Sequence, residues 1–159
     1  MSVFQIADIM EMGIEKERKR RDFYTKLSQI YEDTRLTKLF GDLARWEEEH
    51  VERFTHIKNS LGEMQESKES YDGELMNYIE AYLDNKLYYE IDSEKFHEKV
   101  KLADDALTMA MHFEKDAIIF FTELFNFVDA EHKPTIKKLI DEEKQHLLQL
   151  YNMRKSLKN

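Results

Sequence analysis

Six residues of types that bind metals recur in one arrangement, stated twice along this chain. Glu143 and His146 form a Glu-x-x-His pair, and Glu47 and His50 form another. In a helix, residues three apart lie one turn from each other on the same face. A carboxylate oxygen and an imidazole nitrogen at that spacing can reach one ion. A single pair is weak: in a chain with 33 Asp and Glu and 6 His, about one arises by chance. The surroundings add weight. Thirty residues before Glu47 stands Glu17, and twenty-nine before Glu143 stands Glu114. Phe23-Tyr24 follow Glu17, and Phe120-Phe121 follow Glu114, in each case six and seven positions on. Chance gives one pair easily and two matching sets poorly. Glu94 and His97 are the internal control. They have the same spacing, but Met64 and Gln65 stand where a lone glutamate would be needed, so this pair reads as surface.

Four carboxylates and two imidazoles make chemical sense as a set. Four ionised glutamates balance two divalent cations. Each cation can take one imidazole and keep positions open for O2, peroxide or water. An oxygen-rich set with two nitrogens suits iron, and manganese or zinc fit the same ligands. Without a cation, a carboxylate facing a core is costly.

Helices must position these residues. The first is predicted over Val3 to Tyr31, with Ile6, Met10, Gly13, Glu17, Tyr24, Leu27 and Tyr31 inward. Asp33-Thr34 starts a second that runs to Leu61, where Gly62 reads as a stop. Glu47 and His50 interrupt its stripe of Leu36, Leu39, Phe40, Leu43, Phe54 and Ile57. A third is predicted over Ala103 to Val128, with Leu107, Ala110, Glu114, Ala117, Phe121 and Phe125 inward. A fourth begins near Pro134, which is tolerated in a first turn. Residues 62–102 are too long for a tight turn and read as a crossover. Helices within it are predicted over Glu74 to Tyr89 and, capped by Asp92-Ser93, over Glu94 to Lys101. The expectation is one all-α domain: a hairpin at 3–61, the crossover at 62–102, and a hairpin at 103–157.

Composition agrees. Four Gly and one Pro in 159 residues are too few for a turn-rich β fold. A net charge of −9 and no basic stripe argue against nucleic acid as a partner. There is no Cys, which excludes disulfides, thiolate-bound zinc and iron-sulfur clusters in this chain and fits a cytoplasmic setting. Acidic residues interrupt the N-terminal stretch before a signal-peptide core forms, and no apolar run is long enough for a membrane.

The doubled arrangement resembles the rubrerythrin-like branch of the ferritin-like di-iron carboxylate superfamily. The likeness covers roughly residues 4 to 61 and 103 to 155. It rests on Glu17 with Phe23-Tyr24, Glu47-Glu48-Glu49-His50, Glu114-Lys115-Asp116-Ala117 with Phe120-Phe121, and Glu142-Glu143-Lys144-Gln145-His146. The resemblance implies a four-helix bundle around two iron ions, with Glu17, Glu47, His50, Glu114, Glu143 and His146 as ligands. It also implies a homodimer, sometimes with exchanged helices. Three departures stand out. Ala117 takes the place of an added glutamate usual in peroxide-reducing members. No cysteines supply a rubredoxin module, so an electron donor must be a separate protein. Arg20 stands where a small residue is usual, able to pair with a carboxylate or compete with metal.

Tyr24 reads either as a hydrogen-bond partner of a ligand carboxylate or as a core tyrosine with its hydroxyl satisfied elsewhere. Glu48, Glu49 and Glu142 point away from the stripes and are expected in solvent. His56, His97, His112 and His132 have no matching partners. The expected function is a di-iron redox protein. It would oxidise Fe(II) with H2O2 or O2, in a peroxidase- or ferroxidase-type reaction, and be re-reduced by a separate donor. The alternative is a non-catalytic helical bundle for binding or assembly, with a structural metal or none.

Overall fold

The computed structural model describes residues 6–64, 77–78, 80–81, 84 and 91–158. Four long helices carry the fold: α1 (Ile6–Leu27), α2 (Thr34–Met64), α4 (Ala103–Phe125) and α5 (Lys133–Leu157), with a single turn, α3 (Phe96–Lys99), before α4. No strand occurs among the described residues. The most extensive packing is α1 on α2 and α4 on α5, the two hairpins expected from the short links between them. The described residues at 77–78 and 80–81 are helical. The rest of the helix expected over Glu74 to Tyr89 lies outside the described residues.

Several ends differ from expectation. α1 stops at Leu27 instead of Tyr31, and residues 28–30 form a turn. Tyr31 leaves the helical stripe and donates its hydroxyl to the Val100 carbonyl at 2.5 Å, tying the crossover to the first hairpin. α2 passes through Gly62 to Met64, since a glycine costs a helix only about 1 kcal/mol and need not end it. α4 ends at Phe125 instead of Val128. Between Asp92 and Lys101 only Phe96–Lys99 is helical, and no side chain caps it. Phe96 explains why the turn sits there: its buried ring packs edge-on against Phe23, 6.0 Å between centroids.

The interior divides into three layers along the bundle. One apolar cluster gathers Ile9, Met10 and Ile14 of α1 with Phe54 and Ile57 of α2, Phe121 and Leu124 of α4, and Ile136 and Leu139 of α5. A second gathers Phe23 and Leu27 with Phe40, Leu43, Leu107, Phe113 and Leu150, closed by Phe96 from the crossover. On every long helix the buried polar residues fall between the two: Glu17 and Arg20 on α1, Glu47 and His50 on α2, Glu114 on α4, Glu143 and His146 on α5. Two greasy ends thus clamp a charged waist. Burial at the ends, at about 25 cal/mol per Å² of apolar surface, must offset both chain ordering and the cost of that waist.

Candidate metal centre

The waist is dry. Glu17, Glu47, Glu114 and Glu143 are 0% exposed, His50 1% and His146 5%. All six sequence-predicted residues meet there, each delivered by the helical stripe that buries its neighbours. Their donor atoms fall into two groups, Glu17–Glu47–His50–Glu143 and Glu47–Glu114–Glu143–His146, with the atoms of each group within 4.8 Å of one another. Glu47 and Glu143 belong to both groups and Glu17 and Glu114 to one each. A third group, Asp129, Glu131 and His132 at the turn between α4 and α5, includes no buried residue.

The hydrogen bonding bears on whether this layer fits metal. Among the described residues, both oxygens of Glu47 and of Glu143, Oε2 of Glu17 and of Glu114, and Nδ1 of His50 and of His146 are buried without a hydrogen-bond partner. Unpaired polar atoms in such number are rare in a protein interior. His50 Nδ1 lies 2.6 Å from Glu143 Oε1 and His146 Nδ1 3.3 Å from Glu143 Oε2, without hydrogen-bond alignment. The pattern is the one a pair of cations needs: two carboxylates with both oxygens available to bridge, two with one oxygen available, and one imidazole nitrogen each. The donor set fits two metal ions.

The atoms that are satisfied hold these donors in place. Tyr24, 0% exposed, donates its hydroxyl to Glu114 Oε1. Arg20 pairs with Glu17 Oε1 and has Nε 3.8 Å from Glu47 Oε2. Glu142 was expected in solvent. Instead it is half-buried, bonded to His50 Nε2 at 3.0 Å and to Arg53 at 2.6 Å, which turns His50 Nδ1 into the waist. Glu48 also leaves solvent in part, paired with Arg21 at 2.6 Å. Glu49 and the Glu94–His97 pair are exposed as expected, and His56 and His112 are exposed as well. Across the waist the rings of His50 and His146 stack at 5.5 Å, and Trp46 stacks on His146 at 5.2 Å and 11°. A cavity of about 260 Å³ between α2 and α5 reaches both histidines, lined also by Trp46, Arg53, Glu142 and Gln145.

Burial opposes every charge in this layer, so neighbours decide where protons reside. Burial, helped by Glu47 and Glu143, pushes Glu17 well above the usual carboxylate range despite Arg20. Burial beside Glu143 and Glu47 does the same to Glu114. Glu47 goes down because contacts with Glu17 and both histidines outweigh burial. Glu143 goes down because His50, Glu114 and His146 do likewise. For His146 burial is outweighed by Glu114, Glu143 and Glu47, and its ring is pushed up to about 12. His50 rises well above its ordinary value through Glu143 and Glu142. Burial and Glu114 push the Tyr24 phenol well up, so it stays a neutral donor. In the metal-free layer burial and these neighbours together favour the protonated forms of the outer glutamates and of both histidines, and a cation would compete with those protons.

Sequence reasoning missed Glu142, Arg53 and Trp46. The signal for the first two was present: Arg53 stands one turn after His50, and Glu142 directly precedes Glu143. Trp46 occupies the matching place before Glu47, so one histidine is backed by a carboxylate and the other by an indole.

A family model described as Rubrerythrin matches residues 8–153. No curated protein matches the chain. A solved structure from Thermotoga maritima, described as a ferritin-like diiron-carboxylate protein, is 24% identical, with 98% of this chain and 97% of that one covered and a TM-score of 0.66. At that identity the likeness speaks for the fold, and it agrees with the two-hairpin bundle.

Proposed function

The chain belongs to the rubrerythrin family, and from that premise we propose that it is a di-iron redox protein that oxidises Fe(II) with H2O2 or O2. The observation that carries the reading is the split of eight buried, unpartnered donor atoms into two groups that share Glu47 and Glu143. Glu17, Glu47, His50 and Glu143 would hold one ion, and Glu47, Glu114, Glu143 and His146 the other. Bound iron supplies a one-electron couple at each position, so that two Fe(II) and two protons convert one H2O2 to two H2O.

The residues around the ligands serve this chemistry by position and exclusion. Tyr24 fixes the Glu114 carboxylate, and Glu142 with Arg53 fixes the His50 ring. The apolar clusters on either side keep bulk water from the waist. The cavity beside the histidines would give a small oxidant an approach to the waist, with the Glu142 carboxylate on its wall. With no cysteine in the chain, re-reduction falls to a separate donor protein.

The test is metal analysis of protein purified without added metal, followed by oxidation of the anaerobic ferrous form. About two irons per chain and rapid oxidation by peroxide are expected for the four-glutamate, two-histidine set. Glu47→Gln and Glu143→Gln should each abolish fast oxidation. A protein that stays colourless through iron loading and oxidation is not a di-iron redox protein. One observation favours the second reading, a non-catalytic bundle with a structural metal or none: Arg20 already neutralises part of the waist from within. In that case the same substitutions change stability alone.

A further inference from the structure

We propose that the two metal positions are unequal: the one built on Glu114 and His146 fills first, and the one built on Glu17 and His50 binds weakly because Arg20 stands beside it. The inference rests on the di-metal reading above and adds an order of filling to it.

The observation is a mismatch in what holds the outer carboxylates. Glu17 and Glu114 occupy corresponding places in the two halves. Each has Oε1 engaged and Oε2 without a hydrogen-bond partner. The donor on Glu114 is the neutral Tyr24 hydroxyl. The donor on Glu17 is the Arg20 guanidinium, which keeps its charge at any ordinary pH. In the repeat the place of Arg20 is taken by Ala117 and the place of Tyr24 by Phe121, so neither donor has a counterpart in the other half.

Arg20 cannot easily step aside. It is 2% exposed, beneath the same helices that bury the glutamates, and its Nε also faces Glu47 at 3.8 Å. A cation entering beside Glu17 must share that carboxylate with a fixed positive charge. The charge count points the same way. With four ionised glutamates and both histidines neutral, as metal ligation requires, Arg20 and one divalent ion leave the waist one charge negative, and a second divalent ion leaves it one charge positive. Glu142 works in the opposite direction by making His50 a better donor. Its own charge, however, is offset by Arg53 at 2.6 Å and lies on the half-buried rim, whereas Arg20 lies in the dry layer. Repulsion of a divalent ion by a unit charge a few ångström away in such a layer exceeds thermal energy several-fold, so a gap of at least about tenfold in affinity is expected.

The test is an anaerobic Co(II) titration of the metal-free chain, read by calorimetry and by visible absorption. Two separate steps are expected. Glu114→Gln should remove the tight step and Glu17→Gln the weak one. Arg20→Gln should tighten the weak step and leave the tight one in place. A single step of two equivalents would overturn the inference while leaving the di-metal reading intact. So would an affinity gap unchanged in Arg20→Gln, or a tight step lost through Glu17→Gln. If Arg20→Gln does not fold, the wild-type isotherm and the two glutamate variants decide. No Co(II) binding at all would overturn both this inference and the di-metal reading.

Discussion

Glu142 joins the buried waist to solvent, and its contribution has a definite pH signature. Its bond to His50, followed by that to Arg53, holds its carboxyl down at about 2 against partial burial. A depressed carboxylate stabilises the fold above its unfolded pKa, and that contribution fades as pH falls toward the folded one. In metal-free protein, Glu142→Gln is therefore expected to melt below wild type at pH 6. The gap should narrow as pH falls from about 5 toward about 2, in thermal melts followed by circular dichroism. A gap that stays constant over that range would mean the ion pair is not its source. Residues of this kind are the hard part of reading a sequence. Glu17, Glu47 and Glu114 were legible because a charge interrupts an apolar stripe. Glu142 breaks no stripe, and its partners His50 and Arg53 lie about ninety residues away on the other hairpin.

The helices show where periodicity suffices and where it does not. Apolar spacing placed all four long helices, because each buries one face along its full length. Helix ends were less legible, since they depend on contacts far away in sequence: Tyr31 leaves α1 to reach Val100, and Phe96 fixes the turn of α3 through Phe23. Gly13 and Gly41, both inside helices, make the same point energetically. A Cβ on Gly13 would lie 2.5 Å from Cε1 and 2.8 Å from Cζ of Phe120, so α1 approaches α4 closely there. On Gly41 it would meet nothing within 4 Å. Gly41→Ala should gain about 0.5–1 kcal/mol from helix propensity and reduced freedom of the unfolded chain. Gly13→Ala makes the same gain against an overpacking cost of about 1–3 kcal/mol. The expected outcome is a Tm about 1–4 °C higher for Gly41→Ala and a lower one for Gly13→Ala. A higher Tm for both would show that Phe120 moves aside freely.

For the molecule as a whole, the waist makes folding depend on what neutralises it. Burial raises Glu114, chiefly with Glu143 and Glu47, so the metal-free fold favours its protonated form. Stability tied to a raised carboxylate is fully present below its unfolded pKa and is lost as pH rises from there. Glu114→Gln is neutral at every pH and can still accept from Tyr24. It should therefore melt above wild type when metal-free at pH 7, by a margin that shrinks in acid. When metal-loaded it should melt below wild type, because a ligand is gone. Loading wild type to about a hundred times Kd should add about 2.7 kcal/mol, and a chelator should remove it. Equal stability of both proteins, loaded and metal-free, would rule out a metal at that carboxylate. The stacked rings at the rim carry one more consequence. Trp46, the single tryptophan of the chain, lies 5.2 Å from the His146 imidazole. Its fluorescence should dim as a paramagnetic ion settles on His146, and by less when the Glu17 side fills. Emission from this one indole would then follow the filling of the His146 side without any added dye.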